Sequence, residues 1–185
     1  ENVVIGNPNP NYTLSWINNL SWKGISFGFM WQYIDGGDIY SSTVQALLAR
    51  GNTSDTDVDR YTPVIMPNAV KQTGTNTDGT PIYAPNDIQT YMGDTFFSAY
   101  FGAAEGGVFD ATVIRLREVS ISYVLPKQLI EKTPFGRVGI TLSGENLFYN
   151  APNFPKGINF DPEINSTGVG NGRGFDYRTA PTAMK

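Results

Sequence analysis

The segment Ala111–Leu125, ATVIRLREVSISYVL, constrains the fold most. In its second half Val119, Ile121, Tyr123 and Leu125 fall on one side, and Glu118, Ser120 and Ser122 on the other. A period of two marks a β-strand with one apolar and one polar face. The apolar face needs a cover. Protein core and lipid are the two candidates, and they lead to different functions.

Three more segments alternate in the same way. In Tyr12–Trp22, residues Tyr12, Leu14, Trp16, Leu20 and Trp22 share a face that only Asn18 interrupts, and Ile17 breaks the opposite face. Its roughly eleven residues suit a tilted strand crossing a bilayer, with aromatics near both ends. Lys23-Gly24 reads as a tight turn. Ile25, Phe27, Phe29, Trp31 and Tyr33 then alternate with Ser26, Gly28 and Gln32. Such an aromatic row fits a sandwich core or a barrel exterior equally well. The fourth strand is Arg137–Tyr149, with Val138, Ile140, Leu142 and Phe148 on its apolar side.

Between the strands the chain reads differently. Residues 35–110 form one long connection. Tyr40–Arg50 has helical spacing and Gly51 as a stop, and Gly51–Pro85 is polar loop. Gln89–Phe101 is a second helix or an irregular packed segment. Pro126–Phe135 is a short connection with about one helical turn. Residues 150–185 are a second long loop rich in Gly, Asn and Pro. Short and very long connections therefore alternate. A transmembrane barrel sorts its connections this way, with short turns at one rim and long loops at the other. A sandwich has no reason to.

Composition narrows the chemistry. There are 0 Cys and 0 His, which excludes a disulfide framework, Ser-His-Asp or Cys-His catalysis and the usual zinc sites. The net charge of −4 argues against nucleic acid, which needs a basic stripe. Aromatics at 13%, with 20 Gly and 12 Pro, favour strands and turns.

The runs IGNPNPNYTLSW, VFDATVIRLREVSISYVLPKQLIEKTPFGRVGITLSGENLFYNAPN, FDPEIN and GNGRGFDYRTAPT resemble the C-terminal part of the SusC/RagA family of TonB-linked outer-membrane proteins. The resemblance implies an all-β fold, in which this chain is about four consecutive antiparallel strands of a transmembrane β-barrel of about 22 strands, with long extracellular loops. It also implies location in the outer membrane of a Gram-negative bacterium. The implied activity is import of oligosaccharides or peptides, with no enzymatic step and no cofactor. A SusD-like lipoprotein and outer-membrane lipid would be partners, and TonB would act through a plug that is absent here. The family's last strand is missing as well. Four strands cannot close a barrel, so the chain is expected to be a piece of a longer polypeptide.

Several motifs point elsewhere. Asp55, Asp57 and Asp59 have the spacing that opens an EF-hand loop. The sixth and twelfth positions, which need Gly and Glu, hold Arg60 and Met66. Gly168–Gly174 is glycine-rich but lacks the strand, helix and Lys of a phosphate loop. Asp161 and Glu163 resemble a glycosidase carboxylate pair only in residue type. Asn52-Thr53-Ser54 would accept a glycan only in a eukaryotic secretory context.

Two groups remain as candidate sites. Around Arg115, Arg117 and Glu118 the apolar phase slips from Ile114 and Leu116 to Val119 and Ile121, so a β-bulge lies there or the strand leaves the membrane. A charge facing lipid near the midplane costs roughly 2–4 kcal/mol. Glu118 is therefore placed in the lumen wall, and Arg115 and Arg117 in the lumen wall or above the membrane, as an ion-pair network or as ligand contacts. The loop aromatics Tyr40, Tyr61, Tyr83, Tyr91, Tyr100, Phe154, Phe160 and Tyr177 suit stacking on sugar rings or contact with a lid protein. Loop self-packing is the plainer reading of each. A secreted β-sandwich that binds carbohydrate is the competing function, and it requires Val119, Ile121 and Tyr123 in a core. A barrel used for anchoring or adhesion is a third.

Overall fold

The computed structural model describes residues 3–155, 157–158, 160–164 and 174–177. Chain order gives β1 (Tyr12–Trp22), β2 (Ile25–Asp35), β3 (Asp38–Ser41), α1 (Ser42–Ala49), β4 (Val64–Ile65), β5 (Val70–Thr75), β6 (Pro81–Pro85) and β7 (Gln89–Thr90). After these come α2 (Asp94–Tyr100), β8 (Val108–Asp110), β9 (Val113–Val124), α3 (Lys127–Ile130), β10 (Gly139–Asn150) and β11 (Phe175–Asp176). The residues fall into two compact units. One comprises the described residues of Glu1–Thr43, Val108–Phe154 and Ile158–Lys185, the other Val44–Gly107 and the described residues of Pro155–Gly157.

The first unit is built on an antiparallel sheet of order β1-β2-β9-β10. Its register starts at the turn. Lys23 and Gly24 have φ of 45° and 86°, the doubly positive geometry of a two-residue turn whose twist matches that of the strands. Trp22 then pairs with Ile25, and pairing runs without a break to Tyr12 and Asp35. The sheet is open at β1 and β10. Both short connections lie at one rim, because the Gly24 carbonyl accepts the Val124 N–H at 2.8 Å.

The two faces differ sharply. Leu14, Trp16, Phe27, Ile121, Tyr123, Ile140 and Leu142 line one face, and all are exposed. Leu142 is 73% exposed and Trp16 62%. Serines 26, 120 and 122 lie on the other face with Gly28 and Gln32. Gly28 lies in a tight spot there: a Cβ would sit 2.8 Å from Asn19 Oδ1 and 3.0 Å from Ser120 Oγ, so those side chains would have to shift. The sandwich reading placed Val119, Ile121 and Tyr123 in a core. Instead Ile121 and Tyr123 are 48% and 40% exposed.

A bulge explains the phase slip in β9. Val119 pairs with Phe29 and Glu118 with Met30, but the next pair is Leu116 with Trp31, so Arg117 is the extra residue. The bulge keeps Leu116 and Val119 on the apolar face and turns Arg117 and Glu118 to the polar one. On the other side Glu145 pairs with Glu118 and Phe148 with Leu116. Asn146 and Leu147 fill that gap, and Asn146 takes φ 53°, a left-handed geometry that Asn tolerates.

At the far rim a small sheet of order β11-β3-β8 holds the chain together. Gly36 and Gly37 turn β2 into β3 with φ of 69° and 80°. Asp176 is fully buried, and its Oδ2 accepts Ser41 Oγ at 2.8 Å and the Thr43 N–H at 3.2 Å. Its carboxylate thus satisfies a free N–H in the first turn of α1, where negative charge is favoured. Ile39 and Val113 are the most buried apolar side chains of this unit.

The second unit has more structure than a polar loop. The expected helix over Tyr40–Arg50 is the shorter α1, and Gln89–Phe101 resolves into β7 and α2. The hairpin β5–β6 falls in the stretch read as loop. Its residues VKQTGT and PIYAP contain Gly and Pro, which mask strand periodicity. Val44, Leu48 and Phe97 form the core. Arg60 lies 5.3 Å from the Phe97 ring centroid and donates to the Gly51 and Thr56 carbonyls.

Candidate functional site

The phase slip in β9 and the turn after β10 meet in one place. Asp161-Pro162-Glu163-Ile164 is a β-turn, closed by the Ile164 N–H on the Asp161 carbonyl at 3.1 Å. Proline suits the second position of such a turn, and aspartate suits the first because its side chain can take a backbone N–H two residues on. Here the Glu163 N–H donates to Asp161 Oδ1 at 3.0 Å. The turn directs both carboxylates at the two arginines of β9.

Arg115 is 2% exposed and Asp161 1%. The pair is bidentate: Nη2 to Oδ1 at 2.6 Å and Nη1 to Oδ2 at 3.3 Å. Planar guanidinium and carboxylate match in this geometry. Arg115 Nη1 also lies 3.3 Å from Glu163 Oε2. Arg117 bonds Glu163 and, through Nε and Nη2, the Gln32 amide oxygen at 2.8 and 2.5 Å. Two cations and two anions therefore balance on the polar face of the sheet. Glu118 is exposed and forms no ion pair among the described residues. The network is an ion-pair latch that fixes the turn to β2 and β9. Asp161 is too buried and too fully bonded to act on a substrate, so it is not a glycosidase carboxylate.

Beside the latch lies a cleft of about 430 Å³, lined by Thr13, Gln32, Ile34, Asp38 and Glu163 among others. Thr13, Gln32, Asp38 and Glu163 give it hydrogen-bonding character. Sequence reasoning missed the cleft because its walls come from separated segments.

The loop aromatics divide. Phe154 and Phe160 are 7% and 8% exposed; Phe154 stacks on Phe109 and packs at a tilt against Phe160, each pair with ring centroids 5.2 Å apart, as a small core. Their environment is protein, not solvent, which argues against either as a ligand contact. Tyr40 stacks on Phe175 at 5.4 Å and 12°, and Phe175 on Tyr177 at 6.3 Å and 6°. This row follows from the parallel pairing of β3 with β11, which sets Phe175 opposite Tyr40. Tyr61, Tyr83, Tyr91 and Tyr100 belong to the second unit and are exposed, Tyr61 by 92%. Phe175 was missed from the sequence; its signal was the i, i+2 spacing to Tyr177.

Asp59 accepts the N–H groups of Tyr61 and Thr62 at 2.8 and 3.3 Å. Hydrogen bonds from Thr62 and from the Tyr61 backbone hold its carboxyl below the ordinary range. It shapes a turn. Of Gly168–Gly174 only Gly174 lies within the described residues.

No family model matches the chain. Two relatives from Formosa agariphila match nearly all of it. One, named TonB-dependent receptor P3, is 30% identical over 183 residues, covering 96% of this chain and 16% of the relative. The other, TonB-dependent receptor P26, is 29% identical over 177 residues, covering 91% and 15%. The chain thus spans a small part of the length of these relatives. The matches support the TonB-dependent receptor family, and their names do not single out the SusC/RagA group within it.

Proposed function

We propose that the chain is a stretch of barrel wall from a TonB-dependent outer-membrane transporter of SusC/RagA type. The observation that carries this reading is the exposed apolar face of the four-stranded sheet, opposite a polar face. Strands of eleven and twelve residues, at about 3.3 Å each, reach across a hydrocarbon core when tilted. Trp22 and Tyr123 near one end, and Tyr12 and Tyr33 near the other, have the spacing of aromatic girdles. On this reading Ser120, Ser122, Arg115, Arg117 and Glu118 face the lumen, and residues 35–110 and 150–185 are extracellular.

The cargo is an oligosaccharide or a peptide, taken up with a SusD-like surface lipoprotein and with energy from TonB acting on a plug. The exposed Tyr61, Tyr83, Tyr91 and Tyr100 are candidate contacts for that lipoprotein or for cargo. The row Tyr40, Phe175 and Tyr177 is another. No catalytic step is assigned. The full-length protein should fractionate with the outer membrane and need detergent to stay dispersed. Its deletion should abolish growth on the imported nutrient, as should loss of TonB. Recovery as a soluble monomer without detergent would sink the reading.

A further inference from the structure

The sheet rim that carries the short connections is basic. Lys23 sits in the β1–β2 turn, and Lys127, Lys132 and Arg137 lie in the β9–β10 connection; all are exposed. Only Glu131 opposes them there, in a chain whose net charge is −4. None of the four cations forms an ion pair among the described residues, whereas Lys71, Arg115 and Arg117 all do. These cations are therefore available to an outside partner.

Their surroundings say which partner. The rim borders the exposed apolar face at Trp22, which is 67% exposed and carries the Lys23 ammonium 4.8 Å from its ring centroid. Leu129 and Phe135 are 66% and 62% exposed in the same connection as the other three cations. Long cationic side chains beside exposed Trp, Phe and Leu can lay their stems along hydrocarbon and lift their charges to its edge. In a bilayer, that edge is where the lipid phosphates lie. An acidic protein would not need the apolar border, and it would leave Trp22, Leu129 and Phe135 uncovered.

We propose that this rim binds the phosphates of anionic phospholipid headgroups, and so sets the depth of the sheet in the bilayer. The proposal rests on the membrane-spanning reading above. Each cation near an anionic surface adds a roughly constant attraction that salt screens within about a Debye length.

The test uses the full-length protein, reconstituted into phosphatidylethanolamine vesicles with and without phosphatidylglycerol. Flotation scores insertion, and lipid retained after mild extraction scores headgroup preference. Wild-type protein should retain phosphatidylglycerol preferentially, and the preference should fade as salt rises. The variant K23Q/K127Q/K132Q/R137Q should float equally well and lose on the order of tenfold in preference. Equal preference in variant and wild type would overturn the proposal, as would a wild-type preference indifferent to salt. If the quadruple variant does not insert, K127Q/R137Q is read the same way, with a smaller loss expected. Wild-type protein that floats with neither vesicle would instead bring down the membrane-spanning reading, and the proposal with it.

Discussion

Arg115 shows what a single residue decides. Its guanidinium and the Asp161 carboxylate are both almost wholly out of water. Such a pair gains little net stability, because desolvation offsets attraction, but losing one partner leaves a bare buried charge. Arg115→Ala should therefore destabilise the fold by about 3–5 kcal/mol. The double variant R115L/D161L should cost far less than the two single changes together. Urea unfolding of the detergent-folded protein, read through the four variants, checks this; additive single effects would contradict the latch. The sequence makes half of this site visible. Two arginines at a break in an alternating strand are costly against lipid, so charge alone leaves them the lumen or a position above the membrane. Asp161 lies 46 residues away. Nothing local ties it to Arg115, and only its β-turn, readable as Asp-Pro-Glu, hints that it presents carboxylates in a fixed direction.

At the scale of elements, turns govern what the strands can do. Gly24 has φ 86°, and a Cβ there would meet the Val124 carbonyl oxygen at 3.0 Å. Gly24→Ala should cost roughly 1–2 kcal/mol from the left-handed backbone alone, and Gly24→Asn less, since Asn visits that region. Thermal unfolding of both variants orders them. The hairpin β5–β6 makes a different prediction. Lys71 donates to Asp87 at 2.5 Å, and Thr80 donates to Asp78 through side chain and backbone. These hydrogen bonds hold both carboxyls below the ordinary carboxylate range. A carboxyl depressed in the folded state stabilises it fully above its unfolded pKa, and that contribution disappears as pH falls through the folded one. Amide exchange of residues 70–85 should thus be slow at neutral pH. After correction for intrinsic rates, it should quicken below about pH 4, where free aspartate titrates. Protection that stays flat through that range would refute the assignment. This hairpin was illegible in the sequence for a physical reason: its strands carry Gly and Pro and have no continuous apolar face. The long strands were legible because alternation persists over eleven or twelve residues.

For the whole molecule the deciding question is what lies against the exposed apolar face. Leu142 and Ser143 are neighbours on β10, and Leu142 falls on the apolar face. Were this face buried in a protein core, a probe at Leu142 would be shielded from every solute. Were it simply wet, probes at both positions would meet water-soluble reagents. Lipid makes a third pattern, because molecular oxygen concentrates in hydrocarbon while polar solutes are excluded. Nitroxides placed one at a time along Ile140–Glu145 should therefore alternate with a period of two. Positions 140 and 142 should relax with oxygen and not with a water-soluble nickel chelate, and positions 141 and 143 should do the reverse. Leu142→Arg should then cost roughly 2–4 kcal/mol if that position sits near the midplane, and Ser143→Arg on the polar face much less. The two measurements separate the alternatives that β9 first posed. An arginine penalty at position 142 together with oxygen contact means lipid. The same penalty with neither reagent reaching the probe would mean a protein core, and the transporter reading would fall with it.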